Sequence, residues 1–235
     1  MALPKLDAPR YEMTVPSTQE KVVYRPYLVK EEKILMMALE SQDEKQMIRA
    51  IKDVIAGCTE NAIKVNNLTM FDIEYVFTQL RSKSAGEGAK VSLPCDKCET
   101  RNDVVIDLSQ VVVPKIDKKK MLIEITDDYT LQMRYPSVDA VLGIKTSSSS
   151  NIDKVFELIA ECADSLHTSD EIFNMKEQTK EEVKEFIESL NTEQFNKVRA
   201  FIEDMPSATV NAKFKCSDCG EHNDIEVKGL ANFFA

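Results

Sequence analysis

The sequence is poor in the residue types on which most enzyme sites depend. It has two histidines, His167 and His222, and six glycines in 235 residues. The segment Ala85-Gly86-Glu87-Gly88 lacks the Lys-Ser/Thr pair with which a glycine-rich loop would contact phosphate and magnesium. The 40 acidic residues follow polar helix faces, as at Glu181 and Glu182, which is typical of solvated surface. We therefore predict that the chain is not an enzyme and has no catalytic or cofactor-binding residue.

Long apolar runs and basic clusters are also missing. No stretch approaches the ~20 apolar residues that span a bilayer, and the amino terminus lacks the pattern of a signal peptide. We therefore expect a soluble chain that is neither secreted nor bound to a membrane. The net charge is −10, and the only basic run is Lys118-Lys119-Lys120. Because phosphate binding needs clustered Lys and Arg, this charge argues against nucleic acid as a partner.

Four of the six cysteines form two Cys-x-x-Cys pairs, Cys95 with Cys98 and Cys216 with Cys219. Each pair lies between short runs in which apolar residues alternate, which predicts a β-hairpin with the thiols at its tip. Four thiolates from two such hairpins can surround one zinc ion at about 2.3 Å per bond, which gives a closed structural site. We therefore predict one structural zinc with four cysteine ligands as the only cofactor.

Two other uses of these cysteines compete with this interpretation. A disulfide within each pair is disfavoured because thioredoxin-type pairs open a helix in a βαβ unit, whereas these pairs flank turns. His222 follows Cys219 by three residues and could replace a thiol, although four cysteines already suffice. The remaining cysteines, Cys58 and Cys162, lie on apolar helical faces and are predicted to be core residues.

The residues around the two pairs also repeat. Asn102-Asp103-Val104 follows the first pair as Asn223-Asp224-Ile225 follows the second, displaced by 121 residues. Further back, Val23-Tyr24-Arg25-Pro26 ends a two-strand pattern as Met133-Arg134-Tyr135-Pro136 ends another. Self-similarity over such a period indicates an internal duplication, although a match this short could also arise by chance.

The predicted fold is α+β with two similar halves, 1–115 and 116–235. Each half runs β-hairpin, helices and a Cys-x-x-Cys hairpin, which we call the first knuckle (90–108) and the second knuckle (211–228). The two halves are joined through the single four-cysteine site and are expected to superpose about a pseudo-twofold axis. The second half is expected to carry a helical insertion near 168–189.

Hydrophobic periodicity predicts the individual elements. Two hairpins are expected at 11–15 with 21–25 and at 123–126 with 130–134. The helix over 29–39 is apolar nearly all round and is expected to be buried. The other predicted helices are 43–57, 70–83, 151–166, 169–175, 179–189 and 192–203.

Two apolar features could serve a partner. Phe233 and Phe234 close the chain beyond the last predicted strand, and a terminus usually frays unless it docks. We predict that they anchor a neighbouring protein, with packing on the chain's own core as the alternative. Methionines such as Met36 and Met37 could line a peptide groove, although core filling is the simpler interpretation.

Longer blocks of sequence point to a family. Residues 24–35, which read Tyr-Arg-Pro-Tyr-Leu-Val-Lys-Glu-Glu-Lys-Ile-Leu, residues 71–87 and the Cys-x-x-Cys that follows resemble the baseplate hub assembly proteins of T-even-type contractile-tailed bacteriophages. The resemblance covers at least residues 8–110. It carries over no catalytic residue, and the zinc prediction rests on spacing alone.

The resemblance implies a late protein of the phage tail. Such a chain would be a structural or assembly protein of the central baseplate hub, present in the host cytoplasm during assembly and then in the virion. Its partners would be other hub and tail proteins, and by analogy it could form a symmetric multimer. The alternative is a zinc-ribbon adaptor for nucleic acid or the transcription machinery, which the acidic charge disfavours.

Overall fold

The computed structural model describes residues 7–147 and 150–229, without the side chains of 145–147. Two compact units are present, Met1–Pro114 with Ser207–Ala235 and Lys115–Pro206. Helices and small antiparallel sheets occur in both units, so the predicted α+β class is confirmed. Among the described residues, no helix has the length and apolarity needed to cross a membrane.

The first unit combines a β-hairpin, three α-helices and the two knuckles. Its helices lie in the first 84 residues, and its knuckle strands come from distant parts of the chain. The elements are β1 (Tyr11–Thr14), β2 (Lys21–Tyr24), α1 (Val29–Glu40), α2 (Glu44–Cys58), α3 (Met70–Ser84), β3 (Gly88–Pro94), β4 (Arg101–Asp107), β9 (Thr209–Lys215) and β10 (His222–Lys228).

Helix α3 is the most buried helix described in the first unit, and its start is fixed by a capping box. The Thr69 hydroxyl accepts a hydrogen bond from the Asp72 backbone N–H, and the Asp72 carboxylate accepts one from the Thr69 N–H at 3.0 Å. The same carboxylate accepts from the Ser17 N–H at 2.9 Å, which ties the β1–β2 turn to the helix. From this start the helix buries Ile73, Val76 and other apolar side chains almost completely.

The strands of the two knuckles bury alternate residues against one shared core. In β3, Ala89, Val91 and Leu93 are buried while their neighbours are exposed, as expected for a strand with one covered face. The core continues into β9 through residues such as Val210 and Ala212. A pair of backbone hydrogen bonds between Val112 and Thr209, each of 2.9 Å, joins the chain beyond β4 to the start of β9.

The second unit contains a four-stranded antiparallel sheet and four helices in its described part. The strand order is β5-β6-β7-β8, and the core includes Leu131, Met133, Ile159 and Val198. The elements are β5 (Leu122–Glu124), β6 (Thr130–Met133), α4 (Val138–Ser147), α5 (Asn151–Cys162), β7 (Ala163–His167), β8 (Ile172–Asn174), α6 (Lys180–Glu188) and α7 (Thr192–Glu203).

Two predictions of secondary structure in this unit were wrong, and one helix was missed. The helix predicted over 151–166 ends at Cys162, because 163–167 form β7 and pair with β6. The helix predicted over 169–175 is replaced by β8 and a 3-10 turn (Met175–Glu177). Helix α4 was not predicted. For 163–167, a strand partner distant in sequence overrides local helical periodicity. For 172–174, the partner is β7, the preceding strand of the chain.

The expectation that the helix over 29–39 is buried was also wrong. One narrow face of α1, formed by Glu31, Leu35 and Ala38, is buried. The other apolar side chains are exposed, with Val29 at 79% and Met37 at 61% of their full accessible area. The apolar composition of α1 therefore provides surface rather than core.

The compact units divide the chain differently from the predicted halves. The described residues 207–229 belong to the first unit, because the second knuckle shares its core with the first. The predicted halves are units of a sequence repeat, whereas the compact units are defined by contacts in space. The repeat itself stays a prediction.

Candidate metal centre

Both knuckles form the same turn at the hairpin tip. In the first, the Cys95 N–H donates to Thr100 O at 3.0 Å and the Glu99 N–H donates to Cys95 O at 2.9 Å. In the second, Cys216 and Gly220 make the equivalent bonds at 2.8 and 3.2 Å. Glu99 and Gly220 occupy the same place in the two turns, and both have left-handed backbones, with φ of 59° and 73°. Glycine suits that conformation best, so Glu99 adopts it at some steric expense.

The four sulfurs converge on one point. They all lie within 4.8 Å of one another. Across the two knuckles, Cys95 Sγ lies 3.7 Å from Cys219 Sγ, and Cys98 Sγ lies 3.6 Å from Cys216 Sγ. A tetrahedral zinc with four Zn–S bonds of about 2.3 Å requires sulfurs about 3.8 Å apart. The distances therefore fit a metal, and they are far too long for a disulfide bond of about 2.05 Å.

The cluster is covered unevenly. Cys95 and Cys216, the first cysteine of each pair, are buried, whereas Cys98 is half-buried and Cys219 is exposed. One side of the site therefore faces solvent, which gives a metal or a chelator a route to the thiols.

The electrostatics of the cluster favour a bound cation. Backbone N–H groups of Cys219 and Asp218 donate to Cys216 and lower the pKa of its thiol to about 6. The Glu221 N–H favours the thiolate of Cys219 in the same way, but the neighbouring thiols of Cys98, Cys95 and Cys216, together with desolvation, outweigh it and raise the Cys219 pKa to about 12. The chain thus favours loss of the first proton from the cluster and disfavours loss of the last, because each further thiolate adds a negative charge close to the others. A divalent cation removes that conflict.

Polar contacts join the two knuckles around the sulfurs. Lys97 and Glu221 form an ion pair at 3.1 Å, and Thr100 Oγ1 donates to Asp218 Oδ2 at 3.2 Å. These contacts occupy equivalent places, since Lys97 corresponds to Asp218 and Thr100 corresponds to Glu221 in the repeat. Sequence reasoning did not identify them as part of the site.

Two buried asparagines complete the surroundings of the site. Asn102 Oδ1 accepts from the Ser217 N–H at 2.8 Å, and Asn223 Oδ1 accepts from the Asp96 N–H at 2.9 Å. The sequence carried a signal for them, because both stand four residues after the second cysteine of a pair. That signal supported the repeat, but the asparagines were not assigned to the site.

The other predicted residues lie elsewhere. Cys58 and Cys162 are buried, in agreement with their assignment to the core. His222 begins β10 and is not part of the sulfur cluster. Phe233 and Phe234 lie outside the described residues. Within 7–147 and 150–229, no second group of three or more His, Cys, Asp or Glu side chains is close enough to hold a metal.

Comparison with known proteins identifies a family for this chain. A family model described as T4 bacteriophage base plate protein matches residues 8–235. No curated protein and no solved structure gives a significant match.

Proposed function

We propose that this chain, which belongs to the T4 bacteriophage base plate protein family, is a structural or assembly protein of the central baseplate hub. The observation that carries the proposal is the extent of the match, which runs through both compact units. The chain would act through contacts with other hub and tail proteins, first in the host cytoplasm and then in the virion. The same proposal includes several copies of the chain arranged as a symmetric multimer within the hub.

The surface of the first unit supports a role in assembly rather than catalysis. The exposed apolar side chains of α1 are typical of a surface that binds another protein, since large exposed apolar patches mark interaction sites. Among the described residues, the Cys cluster is the only close group of metal-ligating side chains. Four thiolate ligands leave no open position for a substrate, so a metal held there would be structural.

Zinc is the metal that the site fits best. A tetrahedral set of four thiolates is typical of structural zinc. Cys95, Cys98, Cys216 and Cys219 would be its ligands, and the ion would fix the second knuckle to the first. The metal would thereby hold β9 and β10 in a unit whose other described elements precede residue 115.

The internal duplication is part of the proposal, and it is supported by matched contacts. The Arg25 N–H donates to Cys58 O at 3.0 Å, and the Arg134 N–H donates to Cys162 O at 2.7 Å. Each guanidinium also binds a glutamate, but these ion pairs are not equivalent, since Glu31 stands at the start of α1 and Glu161 at the end of α5. In both halves a hairpin and two helices come first, and a helix and a knuckle come last.

The carboxyl-terminal anchor remains a separate proposal, because Phe233 and Phe234 lie outside the described residues. If the tail packs on a neighbouring hub protein, deletion of 232–235 should leave the melting temperature of the isolated chain unchanged and impair baseplate assembly. A large loss of stability in the isolated chain would mean that the tail is core instead.

The hub role is tested genetically in the phage that encodes this chain. A stop codon early in the gene should give lysates of a non-suppressing host with filled heads and no complete baseplates in electron micrographs. Wild-type chain supplied from a plasmid should restore tails. Normal infectious tails without the chain would refute the proposal, and retention of the purified chain on DNA at physiological salt would favour the adaptor alternative.

A further inference from the structure

Asn102 and Asn223 make the same set of contacts in opposite directions. Each side chain is buried, at 7% and 5% of its full accessible area, near the start of the second strand of its knuckle. Each carbonyl oxygen reaches across to the other knuckle and accepts the N–H of the residue after the first cysteine, Ser217 or Asp96. Asn102 Oδ1 also accepts from the Ser217 hydroxyl at 2.9 Å.

The amide nitrogens bind within their own knuckles. Asn102 Nδ2 donates to Thr100 O at 2.7 Å, and Asn223 Nδ2 donates to Glu221 O at 3.1 Å. These carbonyls are the ones that accept the N–H of Cys95 and of Cys216 and so close each turn. One planar amide therefore fixes the shape of its own turn and the position of the opposite turn.

The amide of Asn102 also reaches a ligand sulfur of the opposite knuckle, since its Nδ2 lies 3.7 Å from Cys216 Sγ. Cys216 is one of the two buried cysteines of the cluster. A side chain that donates to a ligand atom orients that ligand and affects how strongly it binds metal.

From this reciprocal geometry we infer that Asn102 and Asn223 are positioning residues that align the two knuckles and prepare the four thiols for zinc. The inference rests on the proposed zinc site. Since the amide contacts join protein to protein, they align the knuckles before metal arrives. Zinc then meets sulfurs already close to tetrahedral spacing, and less binding free energy is lost in ordering the ligands.

The test uses the full-length chain and four variants. N102A and N223A remove one amide each. N102D keeps an oxygen for the Ser217 N–H but loses the donor to Cys216 Sγ and adds a negative charge beside the thiolates. N211A is the matched control, because Asn211 is an exposed asparagine on β9. Zinc affinity is measured by competition with a chromophoric chelator, geometry by the absorption spectrum of the cobalt form, and folding by the melting temperature of the metal-free chain.

We expect N102A and N223A to weaken zinc affinity by about tenfold or more each, the lower end of what outer contacts contribute in metal sites. Their cobalt spectra should depart from the tetrahedral thiolate spectrum, and their metal-free melting temperatures should fall. N102D should recover part of the metal-free stability and still bind zinc weakly. N211A should match the wild type in every measurement.

The outcomes separate this inference from the proposed zinc site. If the wild type binds zinc tightly and N102A and N223A bind it as tightly as N211A, the inference is wrong and the zinc site stands. If the wild type binds neither zinc nor cobalt, the zinc site itself is wrong. Should N102A fail to fold, N102D and N223A give the same comparison.

Discussion

The six cysteines differ sharply in their surroundings. Burial raises the pKa of the Cys58 thiol to about 11 and that of Cys162 to about 12, so neither forms a thiolate at neutral pH. Both are enclosed by packed side chains. Reactivity of a cysteine requires thiolate and access, and these two residues have neither.

Alkylation should therefore divide the cysteines into two groups. After chelation at neutral pH, iodoacetamide should label the sulfur cluster, because Cys216 forms a thiolate readily and Cys219 opens the cluster to solvent. Alkylation of one thiol removes a neighbour that opposes ionisation of the others, so Cys95, Cys98, Cys216 and Cys219 should all become labelled in turn. Cys58 and Cys162, which have no such neighbour and no access, should stay unlabelled, as read by mass spectrometry of peptides. Zinc added first should protect the four ligands, and denaturant should expose all six cysteines. Fast labelling of Cys58 or Cys162 in the native chain would show that their helices open.

Glu31 joins α1 to the strand before it. Burial alone would raise the pKa of this carboxyl, but hydrogen bonds from Arg25 and from the Leu28 N–H outweigh it, and the pKa lies below its ordinary value. The ion pair with Arg25 has an N···O distance of 2.8 Å, and both side chains are largely covered. A carboxylate whose pKa falls on folding stabilises the folded state above its unfolded pKa, and that contribution is lost as pH falls through the folded pKa.

Glu31→Gln should lower the free energy of unfolding by about 1–3 kcal/mol at neutral pH, since a buried charge-assisted hydrogen bond is lost. The difference from the wild type should shrink as the pH is lowered below the ordinary carboxyl pKa of about 4.3. Urea denaturation at a series of pH values measures both effects. Glu32→Gln, at the exposed neighbouring position, is the control and should change little. A difference that is independent of pH would contradict this account of Glu31.

Helix α3 depends on a carboxylate that accepts three hydrogen bonds. Asp72 is fully buried and receives the Thr69 N–H, the Thr69 hydroxyl and the Ser17 N–H. Asp72→Asn is nearly isosteric, but its amide group must face one of these donors. The free energy of unfolding should fall by about 1–3 kcal/mol in denaturant titrations.

Asp153→Asn is the matched control for this change. Asp153 stands at the same position of α5 and accepts from the Ser150 hydroxyl at 2.6 Å, but it is exposed. Water can replace the lost contact there, so the effect should be well under that of Asp72→Asn. Equal losses at the two positions would mean that burial of Asp72 adds nothing.

Sequence patterns identified those elements whose signals are local. The hairpin at β1 and β2 follows from alternation around Pro16, and α3 and α7 follow from helical periodicity of apolar residues. The error over 163–175 arose because β7 is defined by pairing with β6, a contact between distant segments, and β8 in turn pairs with β7. Helical periodicity reports neither contact. The burial of α1 was misjudged because composition does not say how many faces of a helix meet a neighbour.

At the scale of the whole molecule, the convergence of the four cysteines was predictable from the sequence, and the contacts around them were not. The two Cys-x-x-Cys spacings identified the four sulfurs, because a hairpin tip directs both cysteines of such a pair to the same side. The crossed amides of Asn102 and Asn223 depend on how two distant hairpins face each other. The compact unit that combines residues from both ends of the chain follows from the same tertiary contact.

Removal of zinc should loosen the knuckles selectively. At free zinc about 1,000 times the dissociation constant, the metal contributes about 4 kcal/mol, which corresponds to about 8–16 °C in melting temperature for a chain of this size. Chelation, or Cys98→Ser, should produce that fall, and hydrogen exchange should rise in β3, β4, β9 and β10. The Cys58→Ala variant keeps all four ligands and should respond to the chelator as the wild type does. A melting temperature that is unaffected by chelation would contradict a structural role for the metal.

X-ray absorption at the zinc edge tests the central claim most directly, because it counts the atoms around the metal. Freshly purified full-length chain should contain one zinc per molecule, surrounded by four sulfurs at about 2.3 Å with no nitrogen or oxygen neighbour. Absence of zinc, or a shell that includes nitrogen or oxygen, would contradict a four-cysteine site shared by the two knuckles of this baseplate protein.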